Sequence, residues 1–261
     1  MIKELTSYYK RRGISALNFH CPHLQACSKG NEKFVTAKEA FVGTEYEKGT
    51  LPRLLFVSLD PGSSDNNPRR RTVHSVRYWE EHKCDVEELP KARHWYRTHE
   101  LAWILLKRLN PGLEVQDSHL YFAHVNSVKC CVSNNDHKSA PDVLFRNCRE
   151  YVDQEIVILK PDILVTQGNW AKVAIEKSFG VLKSPGDKYR CSHVQFLMEN
   201  RMVFWLHTNH PRDYGRFNQQ RRECFNKWAK ITYDEFFRRA RRPTNHSSGR
   251  LIATAHLNRS S

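Results

Sequence analysis

The chain has 261 residues, 39% of them hydrophobic, and its 42 lysines and arginines outnumber 28 acidic residues, giving a formal net charge of +14. This length allows one large domain or two small ones, and the apolar content excludes a fully disordered chain. No run of about 18 apolar residues occurs, and the mixed, charged N-terminus lacks the apolar region of a signal peptide. We therefore expect a soluble protein of the cytoplasm that has no membrane partner.

Short apolar segments alternate with amphipathic ones along the chain. In chain order, the sequence predicts a helix over residues 3–11, a strand over 54–59, a helix over 98–110, a strand over 120–125, a helix over 142–160, a strand over 161–168, a helix capped by Asn169 and running to about 177, a strand over 202–208 and a helix over 219–240. This alternation is typical of a parallel sheet covered on both faces. The predicted fold class is therefore α/β, a three-layer α/β/α arrangement around a central four-stranded, mainly parallel sheet.

The basic residues cluster in three segments, at 67–71, 218–224 and 238–242. Such clusters neutralise phosphates, so nucleic acid is the expected partner, and a general contribution to solubility is the alternative. We expect a single domain over residues 1–240 with a basic insertion at about 61–96, followed by a disordered basic tail at 241–261.

The chain has eight cysteines, at positions 21, 27, 84, 130, 131, 148, 191 and 224. An intracellular protein of this size does not need disulfides, so cysteines in close pairs suggest a metal or cluster site. Buried, unreactive thiols are the alternative, which suits Cys191 and Cys224 better than the pairs.

Polar residues stand where three of the predicted strands end. Asp60 follows the first strand, Asn126 the second and His210 the fourth. Ligands of parallel α/β sheets bind beyond the carboxyl ends of the strands, so we expect these side chains to converge on one crevice. Taken singly, each has a structural alternative, which is an Asx turn for Asp60, an anchor of its own loop for Asn126 and a surface turn for His210.

The chain resembles the uracil-DNA glycosylase superfamily in three motifs, SLDPG at 58–62, HVNSVKC at 124–130 and HTNHPR at 207–212. The middle motif is similar to the Asn-Val-Val-Lys-Cys of the iron–sulfur enzymes of family 4. Cys148 and the segment LKPDILVTQG at 159–168 fit the same pattern. The resemblance covers roughly residues 15–230, apart from an unmatched stretch near 63–93.

The resemblance implies a DNA glycosylase that flips uracil or a modified base out of the helix and hydrolyses its N-glycosidic bond, leaving an abasic site. The implied catalytic residues are Asp60, which stabilises the positively charged sugar or activates water, and His210, which stabilises the departing base anion. Asn126 is expected to pair with the edge of the flipped base. The residues expected to stack on that base are Trp95, Tyr96 or Phe122, with core packing as the alternative for Trp95.

A [4Fe–4S] cluster is also implied by the resemblance, held by Cys21, Cys27, Cys130 and Cys148 and structural because the reaction needs no redox step. Zinc is the alternative for four thiolates, and Cys131 beside Cys130 leaves the third ligand open. Phosphate contacts are expected at Arg69, Arg70, Arg71, Arg212 and Arg216. The expected partner is DNA, the expected state a monomer, and the expected location the nucleoid of a bacterial or phage-related cell.

The chain departs from the family 4 pattern at two places. Five residues separate Cys21 from Cys27, whereas two residues separate the corresponding cysteines of family 4. Family 4 has Gly-Glu-x-Pro-Gly after the first strand, with the acid two residues before proline. Here Asp60 directly precedes Pro61, which matches the Asp-Pro motif of family 1. If the insertion at 61–96 enlarges the pocket, the substrate is a bulky modified cytosine, such as superfamily members remove in defence against phage. The sequence is also compatible with a non-catalytic nucleic-acid-binding protein of the same fold, and with a metal-dependent nuclease or hydrolase.

Overall fold

The fold is built on a mixed six-stranded β-sheet, in a computed structural model that describes residues 1–29, 34–62, 66–91, 93–132, 140–186 and 190–241, without the side chains of 238–241. The strands are β1 (Phe34–Val35), β2 (Phe41–Val42), β3 (Leu54–Ser58), β4 (Phe122–Asn126), β5 (Cys131–Val132), β6 (Ile163–Gln167), β7 (Val194–Met198) and β8 (Arg201–Thr208). The sheet order is β2-β4-β3-β6-β8-β7, and β1 pairs separately with β5. The inner strands β4, β3, β6 and β8 run parallel, whereas the edge strands β2 and β7 are antiparallel to their neighbours.

Helices connect most of these strands. They are α1 (Ile2–Arg12), α2 (Leu24–Ser28), α3 (Thr44–Lys48), α4 (Val73–His82), α5 (His94–Leu106), α6 (Asp142–Leu159), α7 (Asn169–Phe179) and α8 (Tyr214–Arg241). None of these helices, as far as the chain is described, is long and apolar enough to cross a membrane.

Two apolar cores cover the two faces of the sheet. On β3, Leu55 and Val57 belong to a core shared with α1, α6 and α7, while Leu54 and Phe56 belong to a second core shared with α5 and α8. Successive side chains of a strand point to opposite faces, so a strand covered on both sides is apolar throughout. Helix α4 lies outside these layers, against the edge strand β2.

The predicted α/β class is confirmed, but the sheet has six strands in the described ranges where four were predicted. The four predicted strands correspond to β3, β4, β6 and β8, and the two edge strands were missed. Strand β2 is two residues long, and exposed positions interrupt the buried ones in β7. Neither has the continuous apolar run by which a buried strand is identified.

Two helices begin earlier than predicted, α5 at His94 instead of residue 98 and α8 at Tyr214 instead of residue 219. In both, the first turn carries polar and aromatic residues outside the apolar spacing that defined the prediction. The predicted insertion at 61–96 contains α4, whose first turn is capped by Thr72 accepting the Ser75 N–H at 3.2 Å. The predicted disordered tail, from residue 242 onward, lies outside the described residues.

A buried ion pair holds the loop between β4 and β5 against the helices. Lys129 and Glu155 are 1% and 0% exposed, and the Lys129 ammonium donates to the Glu155 carboxylate. The Tyr9 hydroxyl donates to Glu155 Oε1 at 2.7 Å and accepts the Ala40 N–H at 3.1 Å. The backbone N–H of Lys129 points to the Cys148 sulfur at 3.3 Å. The loop is therefore fixed to α6 and α1 from inside the core.

We predict that Glu155→Gln lowers the free energy of unfolding by about 3–5 kcal/mol, because it leaves the Lys129 charge buried without its partner. Urea denaturation measures the loss. Replacing both residues, Lys129→Met with Glu155→Leu, should recover most of it. The exposed pair of Arg190 and Glu223 is the control, since Glu223→Gln should leave stability nearly unchanged. An equal effect of the two single substitutions would contradict the role of the buried pair.

Candidate functional site

The loops after the parallel strands are bonded to one another at the carboxyl edge of the sheet. The N–H groups of Ser127 and Val128 donate to the carbonyls of Ser58 and Leu59 at 2.8 and 3.0 Å. This ties the loop after β4 to the loop after β3. The Gly168 N–H donates to the Thr208 carbonyl at 2.9 Å, which ties the loop after β6 to the end of β8.

Gly168 lies where three of these loops meet. A Cβ atom at this position would lie 3.1 Å from Leu59 Cδ2 and 3.2 Å from His210 Cβ. The backbone has φ +94°, which side-chain-bearing residues rarely adopt. Glycine therefore lets the segments carrying Asp60 and His210 approach each other, and the predicted convergence of these loops is present.

Asp60 forms an Asx turn directly after β3. Its Oδ1 accepts the Gly62 N–H at 3.0 Å, and the carboxylate is partly buried. The Gly62 carbonyl accepts in turn from the Cys131 thiol at 2.8 Å and from Arg71 Nη1 at 3.5 Å. The structural alternative for Asp60 is thus present, but it uses one oxygen. Among the described residues, Oδ2 has no hydrogen-bond donor, so it can serve a ligand.

Asn126, the last residue of β4, has a side-chain amide that does not anchor its own loop. It is 5% exposed, and its amide makes no hydrogen bond to any other described residue. The anchoring is done by the hydroxyl of Ser127, which donates to the carbonyls of Ser58 and Leu59 at 2.8 and 3.0 Å. The amide of Asn126 is therefore available to a ligand in the crevice.

His210 is held as a neutral imidazole that carries its proton on Nε2. Its Nδ1 accepts the backbone N–H of Arg212 at 3.2 Å, which assigns the tautomer. Burial, together with nearby His94 and Arg212, lowers the pKa of His210 to about 3. The His210 ring also stacks on the His94 ring at 4.9 Å between centroids and 3° between planes.

His94 belongs to the site although the sequence did not single it out. It is the first residue of α5, and its Nε2 lies 3.2 Å from Gln167 Oε1. Ser58 donates to the same oxygen at 2.6 Å and lies 2.8 Å from His124 Nε2. Burial lowers the pKa of His94 to about 4. These side chains form a neutral hydrogen-bonded network beneath the crevice. The only sequence signal was a histidine next to the aromatic pair 95–96.

Two of the three residues predicted to stack on the base lie in the core and not at the crevice. Phe122 is 0% exposed at the start of β4, the end of the strand opposite to Asn126. Trp95 packs edge-on against Phe122 and His124, with centroids 5.8 and 5.0 Å apart, and its N–H donates to Glu80 at 2.7 Å. Trp95 therefore follows its core-packing alternative, and Phe122 does not reach the crevice. Tyr96 is partly buried in the next position of α5.

The five arginines predicted to contact phosphates divide into two groups. Arg69, Arg70, Arg212 and Arg216 are exposed. Arg71 is 2% exposed, and its guanidinium donates to the carbonyls of Ala37 at 3.3 Å and Gly62 at 3.5 Å. This corrects its predicted role, because Arg71 supports the turn that carries Asp60.

The four predicted ligand cysteines line one small cavity between α2, α6 and the end of the β4–β5 loop, namely Cys21, Cys27, Cys130 and Cys148. Burial and the neighbouring thiols raise the pKa of Cys130 well above its usual range, and burial raises that of Cys148 to about 11. Cys131 does not line this cavity. As the described side chains stand, no three His, Cys, Asp or Glu are arranged to hold a metal ion.

Cys191 and Cys224 form a disulfide with a Cα–Cα distance of 5.1 Å, which corrects the expectation of free thiols. The bond joins the segment before β7 to α8. One turn earlier in α8, Gln220 accepts the Asn209 N–H and donates to the His207 carbonyl, both at 2.8 Å. Helix α8 therefore also positions the loop that carries His210.

A cavity of about 860 Å³ adjoins the turn after β3, and we call it the α4 groove. It is lined by Lys38, Pro61, Arg70, Tyr78, Trp79 and Lys83, among others. Burial raises the pKa of Glu80, on the same wall, to about 7, and Lys38 opposes this shift. Burial lowers the pKa values of His94 and His124, and Lys38 adds to both shifts. Lys38 therefore lines the groove and acts electrostatically on these histidines, a role that the sequence did not indicate.

No protein-family model matches the sequence, and a comparison with curated proteins finds no relative. The function must therefore be inferred from the residues and their geometry.

We predict that His210 and His94 stay neutral down to pH values of about 3 and about 4. The unfolded chain protonates imidazoles below about pH 6.5, so it binds more protons than the folded state between about pH 6.5 and pH 4. Stability should therefore fall as the pH falls through this range. Imidazole ¹⁵N NMR gives the midpoints, and urea denaturation at pH 7 and 5 gives the slope.

The control for this titration is His94→Gln. It should reduce the number of protons taken up on unfolding by up to one. It should also raise the pKa of His210, because a neighbouring imidazole is removed. A His210 midpoint near 6.5 in the unmodified protein would contradict the neutral site.

Proposed function

We propose that this protein is a DNA glycosylase of the uracil-DNA glycosylase-like fold, which flips a base out of DNA and hydrolyses its N-glycosidic bond. The observation that carries the proposal is the convergence of Asp60, Asn126 and His210 at one edge of the sheet, each with a polar atom left for a ligand. A protein that only binds nucleic acid needs none of the three. A parallel α/β sheet binds its ligands at this edge.

Cleavage of the bond leaves positive charge on the sugar and negative charge on the base, so the two sides need opposite stabilisation. The Asp60 carboxylate stabilises the sugar cation and accepts a proton from the water that attacks C1′. The electron pair of the N-glycosidic bond leaves with the base, whose anion accepts a hydrogen bond from His210 Nε2–H. The base then takes a proton from solvent. The products are the free base and an abasic site.

A neutral His210 suits this role. Its pKa of about 3 means that it acts as a hydrogen-bond donor and does not transfer a proton at neutral pH. A donor held in a site of low polarity stabilises a developing anion more strongly than water does. Asn126 offers one acceptor and two donors to the edge of the flipped base. Together the two side chains fix the base and receive its charge.

A bulky modified cytosine of phage DNA is a second candidate substrate, and the α4 groove favours it. The groove begins at Pro61, directly after Asp60, and offers room for a substituent. Oligonucleotides carrying uracil, hypoxanthine or modified cytosine, together with modified phage DNA, should be assayed for abasic sites. Release of no base would contradict the proposal. Direct strand cleavage that a chelator stops would favour a metal-dependent nuclease.

The four cysteines that line one cavity support a bound [4Fe–4S] cluster as cofactor. Such clusters require thiolate ligands. The positive charge of the iron ions offsets both the repulsion between the thiolates and the cost of burying them. A four-iron cluster is wider than one zinc ion with its sulfurs about 2.3 Å away, so it suits ligands that are not gathered around a single point. Cys130 is the proposed third ligand, since it faces the cavity and Cys131 does not. When bound, the cluster would cross-link the segments that carry the four cysteines, and it would take part in no redox step.

We predict that Asp60→Asn lowers the single-turnover rate of base release about 100-fold or more, because the charge that stabilises the sugar is lost. Asn retains the acceptor for the Gly62 N–H, so the turn and DNA affinity should be preserved. Gel-based cleavage at abasic sites and fluorescence anisotropy measure the two properties. Asp117→Asn, at an exposed acid before a short 3₁₀ turn, is the control. Full activity of Asp60→Asn would remove Asp60 from the mechanism.

We predict that the protein purified without oxygen is brown and contains iron and sulfide. Cys130→Ser and Cys148→Ser should lose the colour and the iron, whereas Cys131→Ser should keep both because its hydroxyl can still donate to Gly62. Elemental analysis and visible absorbance check this. Colourless protein with one bound zinc would replace the cluster by the alternative cofactor.

A further inference from the structure

The α4 groove combines exposed aromatic and cationic side chains. Trp79 is 49% exposed and Tyr78 is 55% exposed, both on α4. Among the described residues, the indole N–H of Trp79 has no hydrogen-bond acceptor. Tyr78 stacks on His82 at 4.9 Å with an interplanar angle of 16°. Large aromatic rings exposed beside a cavity are unfavourable in water unless a ligand covers them.

The cations of the groove come from three segments of the chain. Lys38 precedes β2, Arg70 follows the predicted catalytic turn, and Lys83 follows α4. His74 of α4 also lines the wall. The acid on the same lining, Glu80, accepts a hydrogen bond from Trp95 and has a pKa raised to about 7 by burial. The groove is therefore positive, which fits a polyanion.

Aromatic rings beside a cationic groove are the features by which proteins bind single-stranded nucleic acid. Bases stack on the rings, while lysines and arginines follow the phosphates. A duplex keeps its bases stacked on each other and cannot offer them to Trp79. The groove is lined by Pro61, the residue directly after Asp60, so a strand in the groove passes the turn that carries Asp60.

We propose that the α4 groove binds single-stranded DNA, with one base stacked on Trp79 and neighbouring phosphates held by Arg70 and Lys83. This inference deepens the proposed function, since it names the form of DNA that reaches Asp60. The nucleotide next to the flipped one lies in the groove, and the preferred substrate is single-stranded or locally opened DNA.

Fluorescence anisotropy of a labelled oligothymidylate tests the proposal without any cleavage, because this strand has no target base. Trp79→Ala should weaken its binding about five-fold or more, the loss of one base–aromatic stack. Trp79→Phe should restore most of the affinity. Lys83→Gln should reduce the slope of log K against log salt concentration by about 0.7, the value for one phosphate contact on a single strand.

Leu197→Ala and Lys177→Gln are the matched controls, since Leu197 is an exposed apolar residue of the opposite edge strand and Lys177 lies on α7. Both should bind like the unmodified protein. Unchanged binding of oligothymidylate by Trp79→Ala, or no measurable binding by the unmodified protein, overturns the proposal. If Trp79→Ala instead impairs only the excision of a bulky base, the groove holds the base substituent. Weakened strand binding with no base released would uphold the groove and reject the glycosylase.

Discussion

The buried pair of Lys129 and Glu155 is the constraint on which both proposed sites depend. It lies in the five-residue segment from Asn126 to Cys130, which presents an amide to the crevice at one end and a thiol to the cysteine cavity at the other. A lysine in the core is tolerated only with a carboxylate beside it, so the segment has one stable position on α6. The distance between crevice and cavity is thereby fixed, so the proposed cluster would also hold the crevice in place.

A second constraint is the exclusion of charge from the network beneath the crevice. His94 and His210 stack face to face, which two imidazolium ions would not do. Ser58, Gln167 and His124 complete the hydrogen bonds, so burial is tolerated without any of these groups being ionised. The charged side chains near the site, those of Asp60, Arg71 and Arg212, therefore lie outside this neutral network.

The sequence predicted the parallel centre of the sheet and the meeting of the loops that follow β3, β4 and β8, because strand ends follow from apolar runs and parallel strands share one carboxyl edge. It missed His94 and Lys38, since these reach the site through tertiary packing. Arg71 illustrates the same limit. Its charge suggested a DNA contact, yet only the folded chain shows that the guanidinium is enclosed by backbone carbonyls. The edge strands and the Cys191–Cys224 disulfide likewise depend on partners that are distant in the sequence.

Gly168 limits how such a site can diversify. Any side chain there would strain a backbone at φ +94° and press on both Leu59 and His210, so this part of the crevice wall does not accept a side chain. The opposite wall is different, because α4 lies at the edge of the sheet and contributes only Val73 and Val76 to the cores. Under the proposed function, changes in substrate preference would therefore accumulate in α4 and its flanks and not around Gly168.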